Sequence, residues 1–142
     1  MLTEEIADPA ATAPEALRTQ YLAALTAVIE ERGIEPVAAE TDLSTERVEV
    51  ILDNPDDVTL AEAAAVLSCS PDYPAADDYL LEVRDHLMLQ MSSAVVDIGA
   101  LQRAIDTDLD PKVLQQKVEG RREMTLAEYA RVVHHLAVEN PW

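Results

Sequence analysis

The tetrapeptide Thr-Leu-Ala-Glu occurs twice, at 59–62 and 125–128, and the offset of 66 residues between the copies frames the whole chain. A Thr followed three residues later by Glu, at the start of an apolar run, is the signature of a capping box. Each copy therefore predicts a helix start. The same offset carries Arg18 to Arg84, Gly33 to Gly99, Ala38 to Ala104, Thr41-Asp42-Leu43 to Thr107-Asp108-Leu109 and Val48 to Leu114, with no gap. Matches at starts, turns and stops discriminate better than matches of filler, and they predict a tandem duplication of one four-helix unit.

Taken in order, residues 1–11 are polar and Ala-rich and are expected to be disordered. Thr12-Ala-Pro-Glu15 reads as a capping box for a helix with the stripe Leu17, Tyr21, Leu25, Val28 and Ile29, which Gly33 ends. Pro36 opens a short helix over Val37 to Thr41, and Ser44 caps a third carrying Val48, Ile51 and Leu52, stopped at Asn54-Pro55. Leu60, Ala63, Ala64 and Leu67 form the stripe of the fourth. After a Pro-containing linker at 70–77, Asp77 or Asp78 caps a long helix with the stripe Leu80, Val83, Leu87, Met91 and Val95, and Gly99 lies beyond it. A short helix over Ala100 to Thr107 follows, and the last helix carries Leu126, Tyr129, Val132, Val133 and Leu136. No segment alternates with the period of two of a half-buried strand. The expected architecture is all-α, with a first unit at 12–69 and a second at 78–142.

Composition fits that class. Of 142 residues 49% are apolar, yet Phe is absent and aromatics are 4%, so the core must be built from Ala, Leu, Val and Ile, which suits closely packed helices. Cys69 is alone, which excludes an internal disulfide and leaves packing as its task. The N-terminus lacks a basic region followed by an apolar one, and no apolar run reaches the roughly 18 residues of a membrane span. The expectation is a cytoplasmic protein with no membrane partner.

Between the repeats' turns and stops lies the stretch that directs the functional reading. In Leu109-Asp-Pro-Lys-Val-Leu-Gln-Gln-Lys-Val-Glu-Gly-Arg-Arg-Glu-Met-Thr-Leu126, Asp110 caps a helix with Pro111 in its first position, and Gly120 stops it. The corresponding Val37-Ala-Ala-Glu-Thr-Asp-Leu-Ser-Thr-Glu-Arg-Val48, followed by Ile51, resembles the helix-turn-helix of lambda-repressor/Cro-like domains. In the second copy Ala104, Leu109, Leu114 and Gly120 fall on the same frame. Asp42 and Asp108 stand where that pattern has a turn glycine, a substitution a left-handed Asp tolerates, and Arg103 and Lys117 take apolar sites. The whole chain also resembles a small haloarchaeal family of unknown function, and its net charge of −18 resembles the acidic proteomes of salt-in halophiles.

The first resemblance implies DNA binding, with the third helix of each unit in the major groove. In the second unit that helix and its exit carry Lys112, Gln115, Gln116, Lys117, Arg121 and Arg122, all able to donate to phosphates or base edges. In the first it carries Ser44, Thr45 and Arg47 among Glu46 and Glu49, a weaker candidate because carboxylates are repelled by phosphates. Residues 1–75 hold 16 acids and 3 bases, net −13, whereas 111–131 hold five bases and three acids, net +2. Only the latter stretch suits a polyanion. Lys and Arg beside Glu119 and Glu123 are equally consistent with a solvated, salt-bridged face.

Catalytic and metal chemistry lack a motif. His134 and His135 are adjacent on a helix and diverge by about 100°, and neither His86 nor Cys69 completes a ligand spacing. Asp56-Asp57 and Asp77-Asp78 lack a calcium-loop pattern, and three glycines make no phosphate loop. The expectation is a non-enzyme with no catalytic residues, metal or cofactor. Two functions stay open: a transcriptional regulator binding double-stranded DNA, and a protein-interaction module that uses the fold without DNA. An intramolecular pseudo-dimer or a homodimer fits either.

Overall fold

The computed structural model describes residues 11–53, 55–105 and 108–140, and these are all-α. The elements are α1 (Pro14–Arg32), α2 (Ile34–Glu40), α3 (Thr45–Leu52), α4 (Leu60–Leu67), α5 (Ala76–Ala94), α6 (Ile98–Ala104), α7 (Pro111–Val118) and α8 (Leu126–Glu139). Most of the expected disordered segment at 1–11, Asn54 of the expected stop and Thr107 of the second turn lie outside the described residues.

Sequence punctuation is obeyed most closely in the third and fourth helices of each half. Ser44 accepts the Arg47 N–H at 3.1 Å and Asp110 accepts the Lys112 N–H at 2.8 Å, each satisfying a donor that the first helical turn leaves unpaired. Thr59 with Glu62, and Thr125 with Glu128, form complete capping boxes. Helices α3 and α7 are separated by 66 residues at both ends, and α4 and α8 begin 66 apart.

Earlier in each half the register slips. Helix α1 begins at Pro14 behind Ala13, with no side-chain cap, so the expected Thr12 capping box does not form. Likewise α5 begins at Ala76 behind Ala75, and Asp77 and Asp78 lie in its first turn rather than at its cap. Starts at Pro14 and Ala76 are 62 apart, and those of α2 and α6 are 64 apart, so the constant offset does not hold for helix bounds. A slip of four residues is close to one turn of 3.6, which leaves the same face of the long helix pointing inward. Buried Leu17, Tyr21 and Leu25 of α1 thus have counterparts in Tyr79, Val83 and Leu87 of α5.

Several expectations change as a result. Val95 is not part of the buried stripe: it ends α5 in the left-handed region at φ 55° and is 90% exposed. Gly99 is no helix stop, because it sits inside α6, which Asp97 caps by accepting the Ala100 N–H at 2.8 Å. α6 accordingly starts before Ala100 and ends at Ala104. α2 also begins earlier than expected, at Ile34, with Pro36 within its first turn where a missing N–H is harmless. Val37 is the fourth residue of α2 and Leu101 the fourth of α6; both are buried, so Leu101 fills the apolar site assigned to Arg103, which is exposed. Asp42 is not left-handed. The turn after α2 is made instead by Thr41, whose hydroxyl donates to the Val37 carbonyl at 2.8 Å and accepts the Leu43 N–H at 3.2 Å.

The two halves share one buried cluster. α1 packs on α8 as well as on α3 and α4 of its own half, and α5 packs on α4 as well as on α8. Tyr21 and Tyr129 meet across this contact with ring centroids 5.7 Å apart, and both hydroxyls are held protonated by burial. The Pro-containing stretch 70–77 does not hold two cores apart: Ser70 is buried and the Tyr73 ring stacks on Tyr79 at 5.8 Å. Where α4 and α8 begin, an antiparallel bridge joins Thr59 to Thr125.

Candidate nucleic-acid interface

Helix α7 lies at the edge of the bundle because only one side of it is apolar. Leu114 and Val118 are buried, Met124 seals the exit turn, and Lys112 and Gln115 are exposed on the opposite side. Gly120 adopts φ +80°, which lets the chain reverse: the Arg121 and Arg122 N–H groups both donate back to the Gln116 carbonyl, at 2.8 and 3.3 Å. That turn lets Arg122 reach Gln116, one helical turn beyond Lys112, and Arg121 reach Glu119, which also receives Gln115.

The six side chains expected to read DNA do not form one free set. Lys117 turns away from the edge and places Nζ 2.8 and 2.6 Å from the two Glu128 carboxylate oxygens, with 17% of its side chain exposed. It ties α7 to the first turn of α8 and is held by a carboxylate rather than exposed with Lys112. Gln115 donates to Glu119 at 2.8 Å, and Arg121 pairs with the same carboxylate at 2.6 Å. These two contacts, led by the Gln115 hydrogen bond, hold the Glu119 carboxyl below the usual range, so it stays charged. Arg122 Nε donates to the Gln116 side chain. The exposed cations of the edge are Lys112, Arg121 and Arg122.

In the first unit two of the three weaker candidates are engaged within the fold. Ser44 spends its oxygen on the cap, and Thr45 is exposed but neutral. Arg47 grips Glu62 through Nε at 2.6 Å and its terminal nitrogen at 2.8 Å, and reaches Asp57 at 3.3 Å. The guanidinium hydrogen bonds draw the Glu62 carboxyl below the ordinary range despite its partial burial. Arg47 is thus a clasp between α3 and α4. Lys117 performs the same task on Glu128 from one turn further along its helix.

Sequence reasoning overlooked Arg84. Arg18, 66 residues earlier on α1, reaches the loop after α3, donating to the Pro55 carbonyl at 3.3 Å and pairing with Asp56 at 3.4 Å. Arg84, on α5, reaches the equivalent loop after α7 and lies so close to Gly120 that a Cβ there would overlap its guanidinium. A cavity of about 190 Å³ opens beside it, lined by Leu80, Val83, Leu87, Val118, Arg121 and Arg122 among others. The signal was the pair Arg18 and Arg84 in the repeat, legible as a match but not as a site.

Among the described residues no group of three or more His, Cys, Asp or Glu is placed to hold a metal, and no helix is long and apolar enough to cross a membrane. Cys69 is buried, and burial, together with Glu40, pushes its thiol up to about 11, so it is no thiolate nucleophile at neutral pH.

No curated protein and no solved structure matches the chain. A profile described as a family of unknown function (DUF5791) matches residues 17–139, a span that runs from the first buried leucine of α1 to the last residue of α8 and takes in the whole shared core. On that coverage the chain belongs to this family of unknown function.

Proposed function

We propose that the chain is a non-enzymatic regulator that binds double-stranded DNA through α7 and its exit turn, the second of two duplicated lambda-repressor/Cro-like helix-turn-helix units. The observation that carries this reading is the gathering of Lys112, Arg121 and Arg122 on one exposed edge of a chain whose net charge is −18. A local positive edge on an acidic body draws a polyanion to one place and orients it there. Gln115 on the same edge supplies donors and an acceptor for base edges once a phosphate competes for Arg121 and frees Glu119. The acidic surface elsewhere suits a cytoplasm of high salt, where the Debye length falls to about 3 Å at 1 M. The lambda-repressor likeness and the halophilic origin rest on sequence resemblance, and α3 contributes scaffold rather than contacts.

A mobility-shift titration against a pool of random duplexes, in the lowest KCl that keeps the chain folded, tests the proposal. Lys112→Glu and Arg122→Glu should abolish binding with helical circular dichroism unchanged. If the wild type retards no duplex, the reading is dropped. Lys117→Glu is the wrong variant for this purpose, since it sets two carboxylates against each other at Glu128.

A second reading, a protein-interaction module on the same fold, draws on α5, where Leu81, Met88 and Leu89 are 55, 51 and 65% exposed. Light scattering of the wild type and of Leu81→Glu with Met88→Glu decides it. A dimer that these changes split, and that Lys112→Glu leaves intact, favours this reading over the first.

A further inference from the structure

We propose that the cavity between α5 and the turn after α7 binds a small amphipathic anion: a carboxylate or phosphate monoester bearing one ring-sized apolar group. The two halves differ by a charge reversal at one loop position. In the first half Arg18 is neutralised by Asp56, three residues before the Thr59 cap. In the second half the residue three before the Thr125 cap is Arg122. Arg84, 66 residues beyond Arg18 and one turn further along its own long helix, shares a cavity lining with Arg122 instead of an aspartate, and among the described residues it makes no ion pair.

A half-buried guanidinium without a counter-ion is costly, and most of all in a wall of apolar side chains. Leu80, Val83 and Leu87 of α5 and Val118 of α7 supply that wall, with Arg84, Arg121 and Arg122 along the rim. Of the charged groups here, Arg121 is paired with Glu119 and Lys117 with Glu128, and Glu123 is exposed, so Arg84 and Arg122 are the cations that carry no carboxylate. Gly120 is what allows the arrangement, because any side chain at 120 would displace Arg84 from the rim. At about 190 Å³ the cavity admits an apolar group the size of benzene, which fits cavities of about 150 Å³. Planar guanidinium groups bind carboxylate and phosphate through paired hydrogen bonds, so the rim selects the anion and the floor its apolar body.

The site does not depend on DNA binding. Lys112 lies outside the cavity, so Lys112→Glu tests the regulator reading and leaves this one untouched.

The test is calorimetric titration of the full chain in about 0.5 M KCl, enough to screen its overall charge. Phenyl phosphate and phenylacetate are the two anionic probes, separating a phosphate preference from a carboxylate one. Benzyl alcohol and inorganic phosphate are the controls, each lacking one half of the recognition. At least one anionic probe should bind about tenfold or more tighter than both controls. Arg84→Gln should lose that advantage. Arg122→Asp should lose it too, because it restores to Arg84 the partner that Asp56 gives Arg18; this position is exposed, so the variant stays folded and carries the test if Arg84→Gln does not. Arg103→Gln, exposed and remote from the cavity, should bind as wild type. Equal affinities for all four compounds, no binding of either anion, or full binding by Arg122→Asp would each overturn the proposal.

Discussion

Thr59 and Thr125 face one another across an antiparallel bridge, and each also caps its own helix. The Leu60 N–H donates to the Met124 carbonyl at 2.8 Å, and the Leu126 N–H donates to the Val58 carbonyl at 2.7 Å. Every atom in the second bond is the first bond's counterpart displaced by 66 residues. First-turn N–H groups have no partner inside their own helix, so each half satisfies a donor that the other leaves open.

The halves should therefore not fold alone. Peptides spanning 11–70 and 71–140 are each expected to show little helical circular dichroism, and an equimolar mixture should recover the signal of the intact chain. A first half that melts cooperatively by itself would show that the shared core is dispensable. Thr59→Ala and Thr125→Ala should each destabilise the intact chain by about 1 kcal/mol, the usual worth of a lost cap.

Glu62 links stability to acid. Its carboxyl titrates below the ordinary range in the folded chain, chiefly through the Arg47 hydrogen bonds. The contribution is fully present above the unfolded-state value, about pH 4.3, and is lost as pH falls through the depressed folded one. Glu62→Gln should destabilise the chain by about 2 kcal/mol at neutral pH, the worth of hydrogen bonds to a charged group. Denaturant titrations from pH 7 downwards should show the two proteins converging in acid. A constant gap between them at every pH would refute the assignment.

Gly99 and Gly120 look alike in sequence and should respond oppositely to alanine. Gly99 sits within α6, where a Cβ would meet nothing nearer than 3.5 Å, so Gly99→Ala should stabilise by about 0.5–1 kcal/mol. Gly120 has φ +80° and carries Arg84 against its Cα, so Gly120→Ala should destabilise by about 1–2 kcal/mol. Thermal melts of the two variants decide the matter, and a rise in melting temperature for Gly120→Ala would contradict the turn geometry.

Salt should stabilise the chain. With 28 acidic and 10 basic side chains, mutual repulsion opposes the compact state, and added salt shortens its range. Raising KCl from about 0.1 M to about 2 M should lift the melting temperature by about 5 °C or more. An unchanged melting temperature would mean that the carboxylates are already neutralised by local pairing.

Helix starts were the most legible features, because a capping box is a local bargain between residues three apart and needs no tertiary help. Thr12 shows the limit: the same pattern precedes α1, yet Pro14 begins the helix behind Ala13 and no side-chain cap forms. Arg103 shows another. Its position 66 beyond Val37 placed it in the core, but the inward slot of α6 is Leu101, and two extra residues before α7 restore the register. The expected reading edge fared likewise. Lys112, Arg121 and Arg122 were identifiable as exposed cations from helical spacing and the Gly120 turn, whereas the diversion of Lys117 to Glu128 depends on how α7 lies against α8.

Local chemistry in the chain was enough to determine an all-α class, the strongest helix starts and the stop at Gly120, since these depend on backbone donors, turn conformations and apolar spacing within a few residues. Only the tertiary structure decided that the two halves share one core through crossed packing of α1 on α8 and α5 on α4, which cations are consumed by carboxylates, and that Arg84 finds none among the described residues. The reason is distance along the chain. Arg18 meets Asp56 because α1 packs on α3 and α4, which lie far along the chain, and Lys117 meets Glu128 across the turn between consecutive helices; no periodicity within a segment encodes where a long side chain will find its partner.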